Sequence, residues 1–191
     1  MKILIDSIRV YVVLTILTGF IYTFFITAVA NVLLPWRSKG SLLVNNGQVT
    51  GSELIGQQFT NNRYFQSRPS AVSYNPMPSG GSNASAVSAK LRDDVNKRRL
   101  DFRVTNGLNE SVSVPSDMLF TSASGLDPHI SPDAARLQVN RIAASRKFTD
   151  FQKAELDSVV EHSIEPPQVG ILGESRVNVL MLNMKLEGMG K

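Results

Sequence analysis

The stretch VYVVLTILTGFIYTFFITAVANVLLPW, residues 10–36, decides the class of this chain because its 27 residues carry no charge. Arg9 and Arg37 flank it. At a rise of ~1.5 Å per residue, a helix of this length is longer than the ~30 Å hydrocarbon core of a bilayer. We therefore predict a membrane-spanning helix at 10–36, a short tail at 1–9, and a polar domain at 37–191 that folds in water.

A cleaved signal peptide is the alternative interpretation of this segment. Ala28-Val29-Ala30 has the small-x-small form that a signal peptidase accepts. However, the apolar run before that site is longer than a signal sequence needs, and Asn31-Val32-Leu33-Leu34 continues it. An uncleaved anchor fits better. The chain has no cysteine, so it offers neither a lipidation site nor a disulfide.

The charges beside the span do not decide its orientation. Lys2 and Arg9 on one side face Arg37 and Lys39 on the other, so the preference of basic residues for the cytoplasm is tied. A short tail is easily kept in the cytoplasm, and long domains cross a membrane largely regardless of charge. On this ground we expect a single-pass protein with a cytoplasmic amino terminus.

Small and hydroxylated residues recur through the span at four-residue steps, which places them along one ridge of a helix. We name this set the small-residue row; its members are Tyr11, Thr15, Gly19, Thr23, Thr27 and Asn31. Lipid tails do not reward hydroxyl groups, whereas a neighbouring helix does, through close approach and interhelical hydrogen bonds. We therefore predict that the row faces a partner helix. In the alternative interpretation, the threonines bond only to carbonyls of their own helix.

The remaining 155 or so residues suffice for one domain with a hydrophobic core, and no internal repeat is visible. From position 37 onward, 18 basic and 15 acidic residues leave a net charge of +3, which gives no reason to expect a nucleic-acid partner. The basic cluster Lys97-Arg98-Arg99 is expected at the carboxyl end of a helix, where cations suit the helix dipole. Helices and strands without a regular βαβ alternation predict an α+β fold.

Local signals predict the elements of this domain. Ser41 to Val49 is typical of a hairpin with a turn at 45–47, and Asn106-Gly107 of a further turn. Three helices are predicted: one at 83–99 with an apolar stripe, one begun by a serine cap and a proline, and one begun by a capping box. Strands are expected at 112–114 and 176–182. The apolar stripe of the first helix consists of Val87, Leu91 and Val95. The second helix begins at Ser131 and Pro132 and is expected to bury Val139, Ile142 and Ala143. The capping box of the third helix is Thr149 with Gln152, and that helix is expected to end near His162.

Residues 64–83 predict a long loop, since they hold Pro69, Pro76 and Pro78 with the pair Gly80-Gly81. A connection of this length inside a compact domain is either functional or disordered. Aromatic residues at 64, 65 and 74 favour an ordered loop that packs on the domain.

Motifs for chemistry are sparse. The two standard nucleotide-binding glycine loops are absent, as is the Gly-x-Ser-x-Gly sequence of many hydrolases. Asp127, His129 and Asp133 lie close in sequence, but they are better explained as turn and helix-start residues than as metal ligands. Ser122 and Ser124, beside Gly125, have no evident base to activate a serine. We therefore predict no catalytic residue and no metal ligand, and the sequence does not identify a cofactor-binding residue.

Several segments together resemble the C subunit of the bacterial Kdp potassium-transporting P-type ATPase over the whole chain. The sequence departs from that family in two places: SGGSNASAVS lacks the Leu-Gly-Pro that often follows Ser-Asn, and Met184-Lys185 replaces a more apolar ending. The first departure affects only where a helix begins near Asn83. The segments are GSELIGQQF (51–59), YFQSRPSA (64–71), SGGSN (79–83), SASGLDPHISPDAARLQVNRIA (122–143) and GILGESRVNVLMLN (170–183).

The resemblance implies an accessory subunit of a high-affinity potassium uptake complex in the bacterial inner membrane, with its domain on the outer face. The implied partners are a channel-like potassium-translocating subunit, an ATP-hydrolysing P-type subunit and a small membrane peptide. The family is also described as a catalytic chaperone that raises the ATP affinity of the hydrolysing subunit. ATP would then act through that partner, since the Asp-Lys-Thr-Gly-Thr phosphorylation sequence of P-type pumps is absent from this chain.

A function of another class stays open at this point. The loop at 66–82 and the segment at 122–131 could serve a membrane-anchored extracytoplasmic enzyme or a small-molecule binding domain. Turnover of a substrate by the soluble part would favour that alternative, whereas co-purification with a P-type ATPase would favour the accessory subunit.

Overall fold

The computed structural model describes residues 1–45 and 47–189. The chain divides into two compact units, Met1–Ser52 and Glu53–Lys191. The predicted division at 1–9, 10–36 and 37–191 remains a prediction.

The first unit begins with an unbroken helical stretch, Lys2–Leu33, that is long and apolar enough to cross a membrane and contains no buried residue. It comprises α1 (Lys2–Thr15), a π-helical segment (Ile16–Tyr22) and α2 (Thr23–Leu33). A short helix, α3 (Pro35–Ser38), follows with proline at its first position, where the missing N–H costs no hydrogen bond. The helical stretch therefore includes most of the predicted tail.

A two-stranded antiparallel hairpin completes the first unit. β1 (Leu42–Asn45) pairs with β2 (Gln48–Ser52), and the register shifts by a bulge between Leu43 and Val44. This confirms the predicted hairpin. Of its predicted turn, Asn46 lies outside the described residues.

The second unit has the predicted α+β architecture. Its elements follow in chain order: α4 (Ala89–Asn106), a 3₁₀ turn (Ser116–Met118), β3 (His129–Ile130), α5 (Pro132–Arg146), α6 (Asp150–Glu161), β4 (Ile164–Glu165), β5 (Arg176–Asn178) and α7 (Val179–Gly188). The three short strands form an antiparallel sheet in the order β3-β5-β4. Ile130 and Ile164 both pair with Val177, so the central strand brings distant segments together.

The hydrophobic core lies between the helices and this small sheet. α5 presents Ala135, Val139 and Ile142 to it, α6 presents Leu156, and α7 presents Leu182, all of them buried. The cap predictions for α5 and α6 are confirmed. The Ser131 hydroxyl accepts a hydrogen bond from the N–H of the third helical residue, and the reciprocal capping box of α6 is complete.

The bounds predicted for the first helix of this domain were wrong at both ends. α4 begins after Ser88, which caps it, and Val87 lies outside the helix with 94% of its surface exposed. The helix continues to Asn106 because Phe102 is a further buried contact, and Gly107 ends it with φ at +62°. Asn106-Gly107 is thus a helix end, and the basic cluster at 97–99 lies in mid-helix.

Two strand predictions need correction. No strand forms at 112–114 in this described part of the chain; Val112 instead accepts hydrogen bonds from the Arg103 guanidinium through its carbonyl. The strand predicted at 176–182 ends at Asn178, whose side-chain oxygen accepts from the Met181 N–H and caps α7. A polar cap inside an apolar run thus converts strand to helix.

The prediction of an ordered loop at 64–83 is confirmed. Phe65 is fully buried, and its backbone N–H and C=O both bond to the Asn183 side chain, at 2.8 and 3.0 Å. The Tyr74 hydroxyl donates to the Arg68 carbonyl. The loop is therefore held to α7 and to itself.

Candidate functional site

The small-residue row lies on the membrane-capable helix, and all six of its residues are exposed. In an α-helix with ~3.6 residues per turn, each four-residue step advances by about 40°, so a long row winds around the helix. The π-helical segment at Ile16–Tyr22 has more than four residues per turn, and a four-residue step there drifts the other way. The two rotations about the helix axis partly cancel. The row therefore stays closer to one side of the helix than it would on an uninterrupted α-helix.

Two of the three threonines of the row, Thr23 and Thr27, bond within their own helix. The Thr23 hydroxyl donates to the Gly19 carbonyl at 2.6 Å, and the Thr27 hydroxyl donates to the Thr23 carbonyl at 2.8 Å. These are the contacts of the alternative interpretation. Each hydroxyl oxygen can still accept a hydrogen bond from another chain. Because Gly19 has no side chain, a neighbouring helix can approach the backbone closely at this position.

Within the second unit, the loop at 64–83 and the backbone at Gly56 pack closely against the segment at 122–128. We call this contact region the junction. A Cβ placed on Gly56 would lie 2.6 Å from the Asp127 carbonyl oxygen, and one on Gly81 would lie 3.0 Å from the Ala123 carbonyl oxygen. Gly125 adopts φ of +71° and would clash with Val72 if it carried a side chain. Three glycines thus let separate backbone segments approach closely.

Asp127 is the electrostatic centre of this junction. Arg68 Nη1 donates to one carboxylate oxygen at 2.8 Å, and the His129 backbone N–H donates to the other at 3.0 Å. His129 Nδ1 lies 3.4 Å from the same carboxylate. Burial alone would raise the pKa of Asp127, but the hydrogen bonds from His129 and Arg68 outweigh it and lower the pKa from 3.8 to about 2.

These contacts give the Asp-Pro-His segment a structural role. The Pro128 carbonyl accepts the Val179 N–H at 2.9 Å, and β3 starts at His129. Ser131, the residue that caps α5, is bound by Asp117. The Asp117 carboxylate accepts hydrogen bonds from the Ser131 N–H at 2.7 Å and from the Ser131 hydroxyl at 3.0 Å. The segment therefore delivers the chain into α5, as the turn interpretation requires.

A polar cleft of about 770 Å³ opens beside this junction. Arg68, Asp127 and His129 lie on one wall, and residues 172–176 form another. Within the described residues, no group of three or more His, Cys, Asp or Glu side chains could hold a metal ion. The Ser124 hydroxyl accepts a hydrogen bond from the Leu126 N–H at 3.1 Å, which stabilises the backbone of its own loop.

A second buried polar centre surrounds Arg141 on α5. Its guanidinium donates to the Asn106 side chain, to the Gln138 side chain and to carbonyls of the chain at 62 and 64. Burial lowers the pKa of Arg141 to about 10. Neither Arg141 nor Arg68 was predicted from the sequence as a site residue. The available signal for Arg141 was its place, with Gln138, on the buried side of α5 beside Ile142.

Comparison with known proteins places the sequence of this chain in a family. The family model described as KdpC, K⁺-transporting ATPase c chain, matches residues 4–188. The chain belongs to this family. A potassium-transporting ATPase KdpC subunit of Leptospira interrogans is 45% identical over 181 residues, covering 95% of this chain and 91% of the relative. That of Geotalea uraniireducens is 41% identical over 195 residues, covering both chains completely.

Membership confirms the resemblance seen in the sequence, and with it a role in potassium transport as a KdpC subunit of the Kdp ATPase complex. A similar relative from Caldanaerobacter subterraneus is 41% identical over 180 residues, 94% of this chain and 92% of its own length. Other Kdp subunits are therefore its partners. The membrane-capable helix Lys2–Leu33 agrees with a subunit of a membrane complex.

Proposed function

We propose that this KdpC subunit stabilises the Kdp complex from within the membrane, by packing its small-residue row against a helix of a partner subunit. The observation that carries the proposal is the exposure of all six row residues along the membrane-capable helix. Lipid tails gain nothing from the hydroxyl groups of the row, whereas a facing helix gains close backbone contact at Gly19. The proposed partners are the channel-like potassium-translocating subunit, the ATP-hydrolysing P-type subunit and the small membrane peptide.

The proposed topology has the amino terminus in the cytoplasm and residues 37–191 outside the bacterial inner membrane. Supporting arguments are the short tail and the family resemblance. In this arrangement the second unit and cytoplasmic ATP are on opposite sides of the bilayer. The helix at Lys2–Leu33 is the part of the chain that connects the two sides.

We further propose that the subunit is noncatalytic and raises the ATP affinity of the hydrolysing subunit by conformational coupling. A subunit that binds one state of a pump more tightly shifts the population of that state, and with it the affinity for any ligand of that state. The absence of the Asp-Lys-Thr-Gly-Thr sequence supports phosphorylation on a partner. ATP would be bound by that partner.

The test is the double variant Gly19→Leu and Thr23→Leu in the full chain, co-expressed with the other Kdp subunits. The added bulk should displace the partner helix, with a loss of roughly 1–4 kcal/mol for the two contacts together. That loss lowers co-purification by about five-fold or more. The Michaelis constant for ATP of any complex that still forms should rise.

Leu17→Phe together with Ile21→Phe is the matched control. These residues lie on the opposite side of the helix from Gly19, so their added bulk should leave co-purification unchanged. Both variants should insert into the membrane as the wild type does. Full recovery of partners with the Gly19 and Thr23 variant would refute the row as an interface.

A further inference from the structure

A short turn of the second unit exposes three large aliphatic side chains together. Val169, Ile171 and Leu172 are 89%, 82% and 60% exposed, and we call residues 167–173 the apolar turn. Single apolar residues at a surface are common, but a contiguous group rimmed by polar residues marks an interaction site. No core residue of the described chain covers this group.

The backbone of the apolar turn is held in place. Gln168 and Leu172 exchange two backbone hydrogen bonds of 2.9 Å each, and the Gly170 N–H donates to the Pro167 carbonyl at 3.0 Å. Val169 adopts φ of +56°, which is rare and costly for a β-branched residue. These local backbone bonds give the turn a defined conformation in which the three aliphatic side chains are exposed.

The apolar turn also borders the polar cleft, since Gln168 and Leu172 line it. Four carboxylates and two guanidinium groups line the same cleft, which leaves a net charge of −2 with His129 neutral. In the described part of the chain, the carboxylates of Asp117 and Glu174 take part in no ion pair. An unneutralised negative cleft beside an apolar group is complementary to a cation next to an apolar side chain.

We propose that the apolar turn and the adjoining cleft form the surface on which an extramembranous segment of another Kdp subunit docks. That segment carries a lysine or arginine for the cleft and a large apolar residue for the turn. The inference rests on the proposed function, because it names where the second unit meets a partner. Two other occupants fit less well. Anionic lipid head groups are repelled by the cleft, and a second copy of this chain docked symmetrically through the same surface would bring a like-charged cleft to it.

The first experiment replaces Ile171 with the photoreactive residue p-benzoylphenylalanine in the full chain, co-expressed with the other Kdp subunits. Irradiation should give a covalent adduct with another Kdp subunit, at a peptide that contains lysine or arginine. The same residue in place of Val87, which is 94% exposed elsewhere on this unit, is the control and should give no such adduct. An adduct with lipid alone, with a second copy of this chain or with no molecule would overturn the inference.

The second experiment tests the charge. Glu174→Lys should lower co-purification of the partner by about five-fold or more, the change expected when a central contact worth over ~1 kcal/mol is lost. Glu155→Lys, an exposed carboxylate on α6, should leave it unchanged.

The two proposals fail separately. If the Gly19 and Thr23 variant dissociates the complex while Glu174→Lys does not, and Ile171 gives no adduct, the docking surface is wrong and the membrane interface stands. If the wild-type chain retains no other Kdp subunit, both proposals are wrong.

Discussion

Asp127→Asn tests whether the junction beside the polar cleft is held by charge. The substitution keeps the shape of the side chain and one oxygen for the His129 N–H, but it removes the charge that Arg68 meets at 2.8 Å. A hydrogen bond between charged groups is worth about 1.5–3 kcal/mol when it is partly buried. Among the described residues, the Nε of Arg68 has no hydrogen-bond acceptor, and Asp127 is the only carboxylate paired with this guanidinium. The substitution would therefore remove the only anionic partner of Arg68. We expect a loss of about 2 kcal/mol.

The pKa of Asp127 predicts how this loss depends on pH. Because the folded value of about 2 lies below the ordinary 3.8, the ionised carboxylate stabilises the fold above pH 3.8, and this contribution disappears as the pH falls toward 2. The shift corresponds to about 1–2 kcal/mol once partial solvent exposure is allowed for. The loss of stability expected from the hydrogen bond and the loss expected from the pKa shift are therefore of similar size.

The assay is thermal unfolding of the full chain in mild detergent, followed by circular dichroism. The melting temperature at pH 7 should fall by about 5–10 °C for Asp127→Asn, and the difference from wild type should shrink below pH 4. Asp133→Asn is the control, since that mostly exposed carboxylate pairs with Arg136 at the surface and should change stability by under ~0.5 kcal/mol. Equal melting temperatures for Asp127→Asn and wild type at pH 7 would mean that the charge of Asp127 does not stabilise the fold.

Three further predictions concern the topology and the packing of this subunit. A cysteine at Ser38, in a chain with no other thiol, should react with a membrane-impermeant reagent in intact cells; labelling only after permeabilisation would place the second unit in the cytoplasm. Gly56→Ala should destabilise the fold by about 1–3 kcal/mol because its Cβ would lie 2.6 Å from a carbonyl oxygen, whereas Gly80→Ala, with open space, should not; melting curves of the two variants decide this. Arg141→Met should cost about 3 kcal/mol or more by leaving buried acceptors unpaired, against under ~1 kcal/mol for the exposed Arg136→Met, as measured by denaturant unfolding.

Local signals predicted those parts of the fold whose cause is itself local. The membrane helix follows from an uncharged run, and the starts of α5 and α6 follow from Ser131 and Thr149, whose side chains bond within a few residues. The end of α4 was missed although its signal was also local. Gly107 was assigned to an isolated turn, when a glycine after an apolar helical stripe equally marks a helix end.

Features that depend on distant residues could not be predicted in this way. Arg68 and Asp127 are 59 positions apart, and the bonds of Arg141 to the chain near residue 64 span 77 positions. β3 and β4 have only two residues each, too few to show an alternating pattern, and β5 exists because it pairs with both. The cleft and the junction beside it therefore could not be predicted from local sequence and are seen only in the folded structure. The proline pair before Gly170 and Gly173 was the available sign of the apolar turn.

The most direct test of the account is to purify the full chain from its native membrane in mild detergent and to identify what is bound to it by quantitative mass spectrometry. If this chain assembles as proposed, an ATP-hydrolysing P-type subunit and a channel-like potassium-translocating subunit will be recovered in a fixed molar ratio to it, together with the small membrane peptide. Recovery of the chain alone, from membranes in which the other Kdp subunits form an active complex without it, would show that it is not a stabilising subunit of the complex.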